Sequence, residues 1–255
     1  MINVLYSDSQ AKIFERIKGI SVPLSSCFNV FNGVKPFEVG KGKPPQTKTI
    51  ATEKPYVFDG TRPNDEWSPL LRGSLINRYV LLWDKNYWIK YGPWLAAQRD
   101  PEIFEAPEKI MIRQTDDSLK ATLITSGFIA RNNLHIIVPK SEDISLKFIL
   151  GVINSKLLDF LYSFINPEKG EALAEVKKQH VEILPVIKAP IESQKPIVNL
   201  VDQMLATKKQ LAATQRDSER EQFQRKCDYL DGEIDRLVYE LYGLTAEEIK
   251  IVEGS

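Results

Sequence analysis

The side chains of this chain best suited to chemistry with another molecule are cations and amides at turns. KIMIRQTDD, residues 109–117, ends an apolar run in Arg113, Gln114 and Thr115. A guanidinium presents paired planar donors that match the O6 and N7 edge of guanine, a primary amide matches adenine, and a threonine reaches a phosphate or a thymine methyl group. The plainer reading is a strand-end arginine paired with Asp116 or Asp117. ARNNLH, residues 130–135, sets Arg131, Asn132 and Asn133 at a turn. Asparagine there either supplies the turn conformation or offers its amide to an adenine edge. KGKPPQTKT, residues 41–49, carries Lys41, Lys43 and Lys48 on a backbone held open by glycine and proline. Lysine supplies charge without fixed geometry, which suits phosphate contact and equally suits a solvated loop.

A second chemistry is spelled by Asp159, Glu175 and Lys177, which stand as D-x15-E-x-K, the spacing of a metal-dependent nuclease core. Asp159 lies within a helical pattern instead of at a strand end, so the alternative is a solvated aspartate and a surface Glu–Lys pair. His135 alternates with apolar neighbours as a structural histidine does. Trp67, Trp83, Trp88 and Trp94 could stack on bases but lie where strands need a core. Cys27 and Cys227, with His135 and His180, have no metal-ligand spacing and build no disulfide framework. The chain has no glycine-rich nucleotide loop after a strand, no Asn-Pro-Pro-Tyr and no Walker loop. No cofactor is therefore expected in this chain, and methyl transfer is not expected of it alone.

These candidates must be held by other elements. DSQAKIFERIK, residues 8–18, reads as a short helix before an extended LSSCFNVF, and residues 32–70, rich in glycine and proline, read as a long irregular excursion. RYVLLW and NYWIKY, separated by Asp84 and Lys85, read as a hairpin; KIMIRQT, LKATLIT and LHIIVP follow as strands, with PWLAAQRDPEIFEAP as a broken helical connection. SLKFILGVINSKLLDFLYSFI predicts one buried helix over 145–165. Helices over about 194–215 and 218–242 follow, the second with Phe223, Cys227, Leu230, Ile234, Leu237 and Leu241 on a coiled-coil seam; the two form an antiparallel pair. Thr245 and Glu248 make a capping box for a last helix. The expected fold is α+β: a mixed, mostly antiparallel sheet with long loops over residues 1–190, and a helical hairpin and support region over 191–255.

The net charge of zero seems to argue against a polyanionic partner, but the distribution is uneven. Residues 1–191 hold 25 Lys and Arg against 21 Asp and Glu, and residues 192–255 hold 9 against 13. The difference permits a basic face on the first part. No stretch approaches the length of an apolar membrane span, and residues 1–20 lack the pattern of a signal peptide, so a soluble, cytoplasmic protein is expected.

KIMIRQT, NNLHIIVP, FILGVINSKLLDFLYSF and KGEALAEVKKQHVEILPV occur in the order seen in the TaqI-like C-terminal specificity domain of adenine-specific methyltransferases, which residues 78–190 resemble. The most diagnostic pieces are I-R-Q-T at 112–115, L-G-V-I-N-S-K-L at 150–157 and I-L-P-V at 183–186; LDGEIDRLVYELYGLTAEEIKIVE resembles the terminus of fused restriction–modification enzymes. The resemblance implies a non-catalytic reader of double-stranded DNA. Its partner is a methyltransferase domain or subunit that binds S-adenosylmethionine, with Mg2+ where the parent enzyme also cleaves. It also implies that Lys109, Arg113, Gln114 and Thr115 line the DNA cleft and that the 35–62 excursion supplies target-specific contacts through Lys35, Lys43, Lys48 and Arg62. The rival functions are the nuclease above and a protein-interaction module built on the 194–242 hairpin.

Overall fold

Three strand runs, KIMIR, ATLIT and LHIIV, carry adjacent apolar residues that must point to opposite faces, the pattern of strands covered on both sides. In a computed structural model, which describes residues 6–168, 170–171 and 174–254, they are. With α1 (Asp8–Ile20), β1 (Val22–Pro23) and β2 (Phe28–Asn32) at the start of the chain, the central sheet is completed by β8 (Glu108–Arg113), β9 (Ala121–Thr125) and β11 (Leu134–Pro139). The order is β2-β11-β8-β9, antiparallel throughout, with Ile136 opposite Phe31 and Met111, and Met111 opposite Thr122. Alternation then assigns faces: Ile110, Ile112, Ala121 and Ile137 join a helical core, while Met111, Ile124, Leu134 and Ile136 join a second core beneath another sheet.

That second sheet has the order β10-β4-β7-β3, built from β3 (Val57–Asp59), β4 (Trp67–Leu71), β7 (Tyr87–Lys90) and β10 (Ile129–Ala130). β10 runs parallel to β4 and the other pairs are antiparallel. Two expectations change here. The hairpin between RYVLLW and NYWIKY does not form: β5 (Ile76–Asn77) pairs with β6 (Val80–Leu81), whereas β7 lies between β3 and β4. Tyr79 is buried in the helical core while Leu81 and Trp83 pack on the inter-sheet core with Tyr87 and Ile89, so the first run crosses from one core to the other and pairs with β5 instead of β7. The 32–70 excursion is also more regular than its composition suggests, since it holds α2 (Lys48–Glu53), β3 and β4. Its remaining loop is organised by Gln46, a buried amide that donates to the Pro36 and Trp94 carbonyls, each at 2.8 Å, and accepts from Glu38 N–H. The expected broken connection contains α3 (Glu102–Glu105).

On the other face, the predicted single helix over 145–165 is two, α4 (Leu146–Ile153) and α5 (Lys156–Ile165), bent by 69°. Asn154 and Ser155 make the break: Ser155 Oγ caps α5 by accepting from Leu158 N–H, and Asn154 exchanges two hydrogen bonds with the backbone of Ala121 on β9, at 3.1 and 3.0 Å. Gly151 lets α4 approach the next long helix, because a Cβ there would stand 2.7 Å from Ile197 and 3.0 Å from Val201. After α6 (Lys178–Glu182) and β12 (Pro185–Val186), which pairs with β1, come α7 (Ile191–Ala213), α8 (Asp217–Leu241) and α9 (Ala246–Glu253). Three residues join α7 to α8, so the long helices return antiparallel. Cys227, Leu230 and Ile234 are buried on the expected seam; Asp235, Val238 and Tyr239 are buried beside it because α8 also packs on α4 and α5. The capping box of Thr245 and Glu248 forms at α9. One continuous helical core joins residues on both sides of position 190. No single helix among the described residues is long and apolar enough to cross a membrane, and the bent α4–α5 pair lies in this core.

Candidate nucleic-acid interface

Three chain segments leave the sheets at one rim. β8 ends at Arg113, the turn between β10 and β11 carries Arg131, Asn132 and Asn133, and β4 is followed by Arg72 and Gly73. They are bound to one another through backbone: Gln114 N–H donates to the Asn133 carbonyl at 3.1 Å, and Arg131 N–H to that of Leu71 at 2.9 Å. Gly73 N–H donates to the Asn133 side-chain oxygen at 3.2 Å. A Cβ at Gly73 would lie 3.4 Å from Cγ of Arg113, which places the Arg113 stem directly over this turn.

Arg113 is half-buried, its Nε 3.7 Å from Asp116. Burial pushes the Asp116 carboxyl up, but hydrogen bonds from Lys120 and Ser118 and the charges of Lys120 and Arg113 outweigh it and hold that group below its ordinary value. Arg113 is thus partly neutralised without losing its outer donors. Thr115 and Asn132 are exposed beside it. Gln114 turns its amide to Glu175, at 3.2 Å, and its carbonyl accepts from Val176 N–H, so this residue also ties the 174–176 segment to the sheet. His135 anchors the same segment: Nε2 donates to the Val176 carbonyl at 2.6 Å, Nδ1 lies 2.9 Å from the Asn32 side chain, and burial holds the ring's pKa below its ordinary value.

The remaining expected residues divide. Lys41, Lys43 and Lys48 are exposed and pair with no described carboxylate, whereas Lys35 is bound to Glu38 at 2.6 Å. Arg62 clamps its own loop through the Trp67 and Asp65 carbonyls and lies over the Trp88 ring. Lys109 is a correction. It is fully buried on the Met111 face of β8 and donates to the carbonyls of Phe104 at 2.8 Å and Thr125 at 2.9 Å; burial pushes its pKa down to about 8. Its ammonium closes the end of α3 and has no path to an external phosphate.

The nuclease triad is not gathered. Asp159 lines a cavity with Arg78, Lys156 and Glu253, Glu175 accepts from Gln114, and Lys177 is paired with Glu168. Among the described residues no group of three His, Cys, Asp or Glu side chains could hold a metal. Sequence reasoning passed over Arg72 and Tyr87. The guanidinium carbon of Arg72 lies 4.7 Å from the centre of the Tyr87 ring, and the Tyr87 hydroxyl accepts from Arg131 at 2.7 Å. An arginine followed by glycine just after a strand was the only sign available.

This architecture is α+β: two packed sheets with a rim of turns at one end and a helical hairpin behind. Residues 68–186 match the family model of the TaqI-like C-terminal specificity domain. No curated protein sequence matches the chain. Among solved structures it is similar to the type IIL restriction–modification enzyme MmeI, described in complex with DNA, with 12% identity and a TM-score of 0.54 over 91% of this chain and 35% of that one. Others are the type IIG restriction endonuclease BpuSI (10% identity, TM-score 0.49, 92% and 33% of the two chains) and a chain of a type I restriction–modification system (13%, 0.45, 91% and 52%). At these identities the likeness to MmeI is one of fold. The chain spans about a third of the length of MmeI.

Proposed function

We propose that this chain is the target-recognition part of a restriction–modification enzyme and binds double-stranded DNA in a sequence-specific way. The observation that carries the reading is the convergence of Arg113, Thr115, Arg131 and Asn132 on one rim, at the ends of strands that belong to the matched domain. Rigid strands hold the stems of these side chains while their tips remain accessible, and such preorganisation is what base readout requires. In this reading Arg113 reads a base edge, its charge moderated by Asp116, and Lys41, Lys43 and Lys48 set register on phosphates.

Residues 1–190 form the reader, and residues 191–255 form a support that braces it against the catalytic partner. That partner is an adenine-specific methyltransferase domain or subunit, which binds S-adenosylmethionine itself, and the system works in the cytoplasm. The test is selection of duplexes from a randomised pool by the full chain at low salt, followed by a salt titration on the winner. Enrichment of one short motif with a steep salt dependence is expected; absence of DNA binding, or binding without enrichment, would refute the reading.

A further inference from the structure

The chain has eleven arginines, and seven of them lie within 4 Å of a carboxylate: Arg16, Arg62, Arg78, Arg113, Arg216, Arg225 and Arg236. Of the four without such a partner among the described residues, Arg72, Arg99 and Arg131 gather at one place. β4 and β10 are parallel neighbours, with Leu71 opposite Ala130, so Arg72 and Arg131 are the next residues in register, about 4.8 Å apart at the backbone. Arg99 comes from another loop and donates through Nε to the Gly33 carbonyl at 3.1 Å. Gly33 itself lies against the Arg131 backbone, so closely that a Cβ there would stand 2.2 Å from the Arg131 carbonyl oxygen.

Like charges brought this close repel, and among the described residues no carboxylate pairs with them within 4 Å. They are instead held in place by a neutral group. Tyr87, only 5% exposed, stacks its ring under Arg72 and accepts from Arg131 through its hydroxyl. Arg99 adopts a left-handed backbone, φ 69°, and its carbonyl is held by the Tyr91 hydroxyl at 2.8 Å. A site that holds two guanidiniums on one buried tyrosine, with a third arginine on the adjoining loop, is matched to an anion.

We propose that Arg72 and Arg131, held by Tyr87 and flanked by Arg99, form a clamp for the phosphodiester backbone of the bound duplex. The clamp rests on the reading of the chain as a DNA binder, and it deepens that reading by dividing labour at the rim. A base edge carries no net charge and would leave the repulsion between the two guanidiniums in place, whereas a phosphate removes it. Arg113, already beside Asp116, has no such need and is left to read the base. Tyr87 is a positioning residue in this scheme.

The test uses the full chain, the selected duplex and a scrambled duplex of equal length. Arg72→Gln and Arg131→Gln should each weaken binding to both duplexes by the same factor, about tenfold, lower the slope of log K against log salt by about one, and leave the selected motif unchanged. Tyr87→Phe keeps the ring beneath Arg72 and frees Arg131, so it should weaken both duplexes alike by a smaller factor. A neutral methylphosphonate placed singly along the duplex should identify one phosphate whose loss harms the wild-type chain and adds nothing in Arg131→Gln. A changed motif with an unchanged salt slope would overturn the clamp in favour of base reading, and undiminished binding by both arginine variants would remove these residues from the interface. Failure of the wild-type chain to bind any duplex would refute the DNA-binding reading itself, an outcome distinct from the other two.

Discussion

The rim of the sheets and the elbow between α4 and α5 both gather polar groups, and they do so for opposite reasons. At the elbow every group is consumed. Asn154 serves both backbone groups of Ala121, Ser155 caps α5, and the buried carboxylate of Asp235 accepts from Lys156 N–H at 2.9 Å. At the rim the polar groups are brought together and left unfinished: Arg72 and Arg131 pair with no carboxylate among the described residues, and Thr115 and Asn132 face solvent. A closed network rigidifies a fold, whereas an open one with fixed stems is available to a partner. The L-G-V-I-N-S-K-L run therefore lies in the closed network, whereas the groups proposed to bind DNA stand on less conspicuous turns.

Substitutions should separate the two regions, stability responding at the elbow and DNA affinity at the rim. The largest effect is expected from Gly151→Leu, which drives a side chain into Ile197 and Val201 and should destabilise by about 3 kcal/mol in denaturant titrations. Asp235→Asn should act in the other direction. Burial pushes the Asp235 pKa up to about 6, against an ordinary value of 3.8, although the Lys156 N–H opposes the shift. The folded state thus prefers the protonated acid. This contribution is fully present below about pH 4 and is lost as pH rises through 6, above which the ionised group is a burden. The asparagine variant should match the wild type near pH 4 and exceed it above pH 6 by up to about 3 kcal/mol, seen as a pH-dependent gap in melting temperature. Asn154→Ala leaves the buried N–H of Ala121 unpaired, while its carbonyl keeps the Tyr79 N–H, and should cost about 2 kcal/mol of stability, with the selected DNA motif unaltered in the folded fraction. The smallest effect belongs to the mobile-tipped cations: Lys43→Ala should leave the melting temperature unchanged and flatten the salt dependence of binding by less than one unit of slope.

Much of the scaffold was legible in the residues. KIMIR, ATLIT and LHIIV declare strands buried on both faces, and the spacing of Cys227, Leu230 and Ile234 declares the helix pair. The elbow was not legible, because Asn154 and Ser155 in an apolar run look like the wet stripe of one helix until their partners on β9 and α5 are known. The false hairpin arose from reading adjacent runs as paired, when β6 pairs with the earlier β5 and β7 lies between β3 and β4. Lys109 was placed in the cleft by the resemblance alone, although its alternation with Met111 puts it on a buried face. Arg131 was found through its turn. Arg72 was not, since its significance depends on Arg131 across a parallel pairing that local pattern cannot reveal.

The central claim, that the rim reads sequence and Arg113 reads a base, is tested most directly by running the randomised-duplex selection in parallel on the wild-type chain and on Arg113→Ala. The account predicts the same motif from both, except for one position that becomes degenerate in the variant with a loss of about 2 kcal/mol on the original target and an unchanged melting temperature. An identical motif of undiminished affinity from the variant, or no motif from the wild type, would contradict it.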